Sequence, residues 1–288
     1  MSFQSIKALL ELCRATNCLI VAAFTTTGFF ILAKTVTSAT PWDVIMAATS
    51  MSMACAFGNV MNDYLDRDID AKTKPKRPIP SGRITPGTVM MFSIFTAIIS
   101  ISLALLTSRP LQSAAFVTAV MALLLFYSAW LKRKNKFAGN ILVSSIVAIP
   151  LFFPAIAFAA ATTSIVIGLA GCAFFTNLSR EIIKDTKEKG MEPRTLPGLI
   201  GETESRQAAS ILLFSAIGVS VLTAANYWTV MWEHPFKTMM LFLAYASIAA
   251  SAVTLFSRRK ELSGERLKIQ EGAVKVGMVL AVIAYLVP

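Results

Sequence analysis

The chain is short of charge. Only 15% of its 288 residues are Asp, Glu, Lys or Arg, 55% are hydrophobic, and mean hydropathy is +0.64. A water-soluble domain of this length needs far more charge to cover its surface. Acid is scarcer than base, with 16 Asp and Glu against 27 Lys and Arg. Histidine occurs once, as His234 beside Glu233 in a polar connection, which excludes a multi-histidine metal centre. The four cysteines, Cys13, Cys18, Cys55 and Cys172, have no metal-ligand spacing and lie in or beside apolar runs, so they read as small buried hydrophobes. Strand-period alternation is missing, and a membrane β-barrel is excluded with it. No small-residue cleavage pattern follows the first apolar run, so that run is expected to stay as a span and not to leave as a signal peptide.

What is present are apolar runs of roughly 17–23 residues separated by clustered charge, each long enough to cross a bilayer as a helix. Backbone groups in lipid must be satisfied internally, so the expected fold is all-α, a polytopic helical membrane protein. Nine spans are expected, near 15–33, 42–64, 86–107, 112–131, 138–158, 162–183, 208–226, 236–256 and 271–287. Pro150 and Pro154 predict a kink in the fifth. The net charge of +11 suggests nucleic acid only in a soluble chain; here it has a topological explanation. With the N-terminus inside, the outward connections hold Lys34, Arg109 and Lys237, and the other 24 of the 27 basic residues face inward. That asymmetry predicts N-terminus in and C-terminus out.

The densest chemistry follows the second apolar run. Asn62, Asp63, Asp66, Asp68 and Asp70 lie within nine residues, and Lys72, Lys74, Lys76 and Arg77 come directly after. On a continuous helix Asn62, Asp66 and Asp70 are four apart and share a face. Oxygen groups stacked at a membrane boundary repel one another unless a cation sits among them. Mg²⁺ fits, because it prefers oxygen ligands and is held by one or two carboxylates plus substrate phosphates. The bland alternative is a polar helix cap and a basic lipid-facing loop, which does not call for acids at four-residue spacing.

A second polar cluster ends the sixth run: Glu181, Asp185, Glu188 and Glu192, spaced four, three and four, with Lys184, Lys187, Lys189 and Arg194 among or after them. Alone, this is also the pattern of a solvated helix with i,i+4 ion pairs. Both clusters are expected on the same membrane side, four spans apart, where facing acidic stripes could hold two Mg²⁺ ions and a diphosphate. Tyr127, Lys132 and Lys136 form a third group. Tyr127 reads equally as a phosphate donor and as an aromatic-belt anchor, and the lysines also suit anionic headgroups. Arg14 and Asn17 open the first span, where snorkelling and ligand contact both fit.

The residues Asn62-Asp63-x-x-Asp66-x-x-x-Asp70 with Arg77-Pro-Ile-Pro-Ser-Gly82 resemble the UbiA superfamily of intramembrane prenyltransferases. Arg14-Ala-Thr-Asn-Cys-Leu19, Arg180-Glu-Ile-Ile-Lys-Asp185, Arg194-Thr-Leu-Pro197 and Lys275-Val-Gly-Met278 are similar to its lipid-forming branch, which makes digeranylgeranylglyceryl phosphate. The resemblance runs over nearly the whole chain and implies a single domain, 1–288: a nine-helix bundle with a central cavity, a polar cytoplasmic cap and a side portal to lipid. It implies Asn62, Asp66, Asp70, Glu181, Asp185, Glu188 and Glu192 as Mg²⁺ ligands. Arg14, Asn17, Asn62, Asp63, Arg77, Lys136 and Arg194 are then substrate contacts, and Asp66, Asp70, Asp185, Tyr127 and Lys132 carry the chemistry. The chain departs from the branch at Glu188 and Glu192, where Asp is usual; the extra methylene moves a carboxylate by about 1.5 Å.

The implied reaction is Mg²⁺-dependent transfer of an isoprenyl group, geranylgeranyl by resemblance, from its diphosphate to a membrane-resident prenylglyceryl phosphate through an allylic cation. Partners are these substrates and the bilayer, with neither nucleic acid nor an obligate protein partner expected. Aromatic or quinone acceptors, a cyclase of the same superfamily, and a lipid or ion transporter are the alternatives. Against the transporter, the acids stand at the membrane boundary and not at mid-bilayer.

Overall fold

The computed structural model describes residues 3–32, 40–187, 194–225, 234–257 and 262–286, all helix or short connection, with no strand among them. Among the described residues, eight helices are long and apolar enough to cross a membrane. The chain is an integral multi-pass membrane protein. The ninth expected span, 271–287, falls on a helix, Gly264–Leu286, which carries Glu265, Arg266, Lys268, Glu271 and Lys275 and stands outside those eight.

The chain divides into two compact units, residues 1–133 with 152–161, and residues 134–151 with 162–288. The first contains α1 (Phe3–Cys13), α2 (Ala15–Leu32), α3 (Pro41–Thr73), α4 (Pro86–Ala104), α5 (Pro110–Phe126), one π-helical turn (Tyr127–Leu131), the short α6 (Lys132–Lys134) and α8 (Phe153–Phe158). α3 is its axis, packed by α1, α2, α4 and α5. Thr40 starts α3 with a reciprocal capping box to Asp43, and Pro41 occupies a position whose N–H needs no partner. The helix then runs 33 residues without a break, well past the expected end near 64, so the first acidic cluster is helical throughout.

Serine hydroxyls join the helices of this unit. Ser50 Oγ donates to the Ser100 carbonyl and Ser100 Oγ to the Ser50 carbonyl, each at 2.8 Å, so α3 and α4 exchange two hydrogen bonds within the apolar layer. α1 packs Ala8, Leu9 and Leu12 against Val60, Ile79, Ile84 and Val89. That patch fixes the loop after α3 to the helix it has just left.

The second unit contains α7 (Lys136–Ala148), α9 (Ser164–Lys187), α10 (Leu196–Ile200), α11 (Glu202–Ala225), α12 (Pro235–Phe256) and α13 (Gly264–Leu286). α9 packs against α7, α11 and α13, and α12 against α11 and α13. Ser179, Ser210 and Ser247 donate to the carbonyls of Ala209, Ala252 and Ala273 at 2.9, 2.7 and 2.8 Å, the same polar stitching as in the first unit. The helix is interrupted where the prolines were expected to act: α7 gives way at Ile149–Phe152 to a 3₁₀ turn containing Pro150, and α8 starts again around Pro154.

Candidate functional site

In the first unit the polar residues form one connected network. Arg14 lies between α1 and α2 at φ +51°, a left-handed conformation that L residues with a Cβ rarely adopt. The break frees the Cys13 carbonyl, which accepts from Asn59 Nδ2 at 2.9 Å and from Cys18 Sγ at 3.2 Å. One turn after Asn59, Asp63 Oδ1 lies 2.7 Å from Arg14 Nη2. α3 therefore holds residues 13 and 14 at two adjacent points.

The same Asp63 oxygen accepts from Arg77 Nη1 at 3.2 Å, and that nitrogen lies 2.5 Å from Asp70 Oδ2. Arg77 thus bridges two carboxylates two turns apart on α3, both over 90% buried at their side chains. Burial works against its charge, but Asp63 and Asp70 outweigh that effect and raise its pKa above the ordinary guanidinium value. Arg83, further along the loop, holds Glu11 of α1 with two nitrogens at 2.7 and 3.2 Å.

α5 approaches α3 in register. Gly58 meets Leu124, Asn62 meets Ser128, and Asp66 meets Lys132, each step one turn further along both helices. A Cβ on Gly58 would come within 2.7 Å of Leu124, so its missing side chain permits the approach. Ser128 Oγ lies 3.4 Å from Asn62 Oδ1, and Lys132 Nζ contacts both Asn62 Oδ1 and Asp66 Oδ2. The π-helical turn begins at Tyr127, whose ring lies 5.7 Å from the Lys132 ammonium. π turns recur at functional sites.

In the second unit Asp185 of α9 is held by α7. Lys136 Nζ lies 2.9 Å from Oδ1 and Asn140 Nδ2 2.7 Å from Oδ2. The polar chain continues inward: Ser144 Oγ donates to the Asn140 carbonyl at 2.7 Å, and Asn177 Nδ2 donates to Ser144 Oγ at 3.1 Å. Glu181, one turn before Asp185, is bracketed by Arg180 at 2.8 Å and Lys184 at 3.2 Å.

Most sequence-derived candidates join these networks. Asn17 is half-buried in the first turn of α2, with no side-chain hydrogen bond among the described residues, and Arg194 is exposed, its carbonyl accepting from the Phe137 N–H at 3.1 Å. Glu188 and Glu192 lie outside the described residues, and no cluster of three or more His, Cys, Asp or Glu suited to a metal occurs within them. Each described candidate carboxylate is instead ion-paired with Lys or Arg. Cys13, Cys18, Cys55 and Cys172 are free and half-buried, and Cys18 and Cys55 belong to the helix-break network.

The donor set of the first unit still suits a hard cation: Asn62, Asp66 and Asp70 supply only oxygen, and Asp66 Oδ1 is buried without a hydrogen-bond partner. Asn59, Ser128 and Asn140 were not among the sequence candidates. Their signal was an amide or hydroxyl inside an apolar run, the residue type that membrane helices place at functional or packing contacts.

The UbiA prenyltransferase family matches residues 21–269. A protein of Methanothrix thermoacetophila named digeranylgeranylglyceryl phosphate synthase is 31% identical over 97% of this chain and 98% of its own length. A solved structure concerning digeranylgeranylglyceryl phosphate synthase superposes with a TM-score of 0.70 at 23% identity, covering 99% of this chain and 98% of the other. A UbiA homologue from Archaeoglobus fulgidus, solved bound to DMAPP and Mg²⁺, superposes with a TM-score of 0.56 at 16% identity, over 95% of this chain and 98% of its own. An acid-bearing helix braced by arginine and lysine, on a helical membrane scaffold matched along most of its length, makes this chain a member of the UbiA prenyltransferase family.

Proposed function

We propose that this chain, acting as a single domain over 1–288, is a Mg²⁺-dependent prenyltransferase. It moves a geranylgeranyl group from its diphosphate to the hydroxyl of a prenylglyceryl phosphate, giving digeranylgeranylglyceryl phosphate. The observation that carries this reading is the Asn62–Asp66–Lys132 arrangement. Two oxygen ligands one turn apart, one oxygen buried and unpartnered, lie beside a fixed ammonium. That combination suits a metal and a polyphosphate together. The acceptor is supported by the name of the M. thermoacetophila relative.

Asn62, Asp66 and Asp70 would hold Mg²⁺ in the first unit, and Glu181 and Asp185, with Glu188 and Glu192 outside the described residues, in the second. Mg²⁺ supplies Lewis-acid neutralisation of the departing diphosphate. Arg77 and Lys132 add positive charge to the leaving oxygens, and Tyr127 donates a hydrogen bond to one of them. Arg14 and Asp63 position Arg77 and, with Asn17, Lys136 and Arg194, complete the substrate contacts. The allylic C–O bond breaks with its electron pair leaving on diphosphate, the apolar helices keep water from the cation, and the acceptor hydroxyl oxygen attacks it and gives up its proton to the released diphosphate. Isoprenyl burial supplies affinity at about 0.8 kcal/mol per CH₂. Nine spans, with the N-terminus and the polar residues at a cytoplasmic face of the cell membrane and the C-terminus outside, follow from the placement of Lys and Arg.

The test uses purified protein in liposomes with Mg²⁺ and radiolabelled geranylgeranyl diphosphate, with and without geranylgeranylglyceryl phosphate. A doubly prenylated lipid that disappears with EDTA is expected. A hydrocarbon or alcohol formed without acceptor would overturn transfer in favour of cyclisation, and product only with an aromatic acceptor would overturn the acceptor assignment.

A further inference from the structure

Arg180 and Lys275 in the second unit have no role in the proposed metal and diphosphate contacts. Lys187 of α9 and Glu271 of α13 form an ion pair at 2.7 Å and set the register of two helices that pack together. By helical rise, Lys275 lies about 6 Å further along α13, while Lys184 and Arg180 lie about 4.5 and about 10.5 Å back along α9. Lys275 therefore comes level with the segment between Lys184 and Arg180. Arg180 and Glu271 are the charged groups that act on it.

Glu271 is taken by Lys187, and Glu181 is shared by Arg180 and Lys184. Lys275 makes no ion pair with any described carboxylate, and Arg180 Nε is buried with no hydrogen-bond partner. Among the described residues Glu181 is thus paired with Arg180 and Lys184, and Lys275 has no carboxylate of its own. Lys275 stands directly before the uninterrupted apolar stretch 276–286. A half-buried ammonium beside a guanidinium at such a place is costly unless an anion joins them.

We propose that Arg180 and Lys275, on neighbouring faces of α9 and α13, bind the phosphate monoester of the lipid acceptor. This rests on the prenylglyceryl phosphate reading above. A phosphate monoester, with about two negative charges, suits a guanidinium and an ammonium side by side. Guanidinium and ammonium are the donors that recognise phosphate oxygens, with Arg180 Nε free to donate. The neighbouring apolar length of α13 suits the acceptor's isoprenyl chain. The diphosphate of the donor has related chemistry, and kinetics separates the two.

The experiment measures KM for each substrate in Lys275→Met and Lys275→Arg, and thermal shifts with geranylgeranylglyceryl phosphate and with geranylgeranylglycerol, its phosphate-free form. Lys275→Met is expected to raise the acceptor KM at least ten-fold while the donor KM stays within two-fold, and Lys275→Arg to restore most of the loss. The phosphorylated lipid should stabilise wild type but not Lys275→Met, whereas the phosphate-free lipid should treat both alike. A rise in donor KM, or equal acceptor KM values, would overturn the proposal. Wild type that transfers to no acceptor would defeat the functional reading alone, since the thermal shifts test the phosphate site without turnover. Should Lys275→Met fail to fold, Lys275→Gln serves in its place.

Discussion

Asn140 Nδ2 lies 2.7 Å from Asp185 Oδ2, and both side chains are buried, so the amide of one helix sets the orientation of a carboxylate on another. Removing a hydrogen bond to a buried charged group costs about 1.5–3 kcal/mol. Asn140→Ala is therefore expected to lower thermal stability measurably and transfer at least ten-fold. Asn140→Asp should do worse, because it places a second carboxylate beside the first. Melting and turnover measured on the same preparations check both statements.

Arg77 joins Asp63 and Asp70. Losing one partner of a buried pair costs about 3–5 kcal/mol, and Arg77 is itself partly exposed, so the lower end is expected for Arg77→Ala. Arg77→Lys keeps charge but cannot span two carboxylates as a planar fork does, and it should retain only part of the activity. The pKa of Arg77 is raised on folding, so its contribution is fully present below the ordinary guanidinium value and is lost only as pH rises through the higher folded one. A pH–rate profile between pH 6 and roughly pH 10 should thus show no limb that Arg77→Lys removes.

Asp66 offers one oxygen to Lys132 and keeps the other buried and unpartnered. Asp66→Ala is expected to abolish transfer, with loss of at least 10³-fold by analogy with removal of a transition-state charge stabiliser, while the protein still elutes as a folded species from size-exclusion chromatography. Wild type treated with EDTA should lose activity to the same floor and regain it with Mg²⁺. Turnover surviving in Asp66→Ala would remove Asp66 from the site.

Arg14 combines a backbone cost with a side-chain gain. Arg14→Gly and Arg14→Ala both lose the contact with Asp63, but glycine adopts φ +51° without the Cβ penalty. The glycine variant should be more stable than the alanine variant by about 1 kcal/mol, the order of the left-handed cost for an L residue. Asn59→Leu, which leaves the Cys13 carbonyl without its amide donor, is expected to impair substrate binding in the same direction as Arg14→Ala and not to add fully to it in the double variant. Thermal melts and a double-mutant cycle check these outcomes.

Much of this architecture was readable from hydropathy alone, because helices in lipid must close their own hydrogen bonds and advertise themselves as long apolar runs. The runs at 42–64 and 86–107 became α3 and α4, and charge marked the acid-bearing helix itself. The break at Arg14 gave no such notice. No glycine or proline stands there, and the conformation is held by tertiary contacts from Asn59 and Asp63 that sequence order does not display. Spacing placed Asn62, Asp66 and Asp70 on a shared helix, yet it could not show that each carboxylate has its own cation, since Arg77 and Lys132 arrive from a loop and from another helix. Asp63 illustrates the point: the resemblance implied a substrate contact, and nothing in the sequence showed that it also joins two arginines.

Gly58 has no side chain and touches none of the proposed chemistry, yet it sets the spacing of the helices whose next two turns carry Ser128 against Asn62 and Lys132 against Asp66. Position 58 is in effect a shim. Alanine there asks Leu124 to swing aside, and a branched residue asks the helices themselves to separate, so the gap between ammonium and carboxylate could be widened by degrees without altering either ion. Activity in this protein should be adjustable at a place where no reacting atom is ever near.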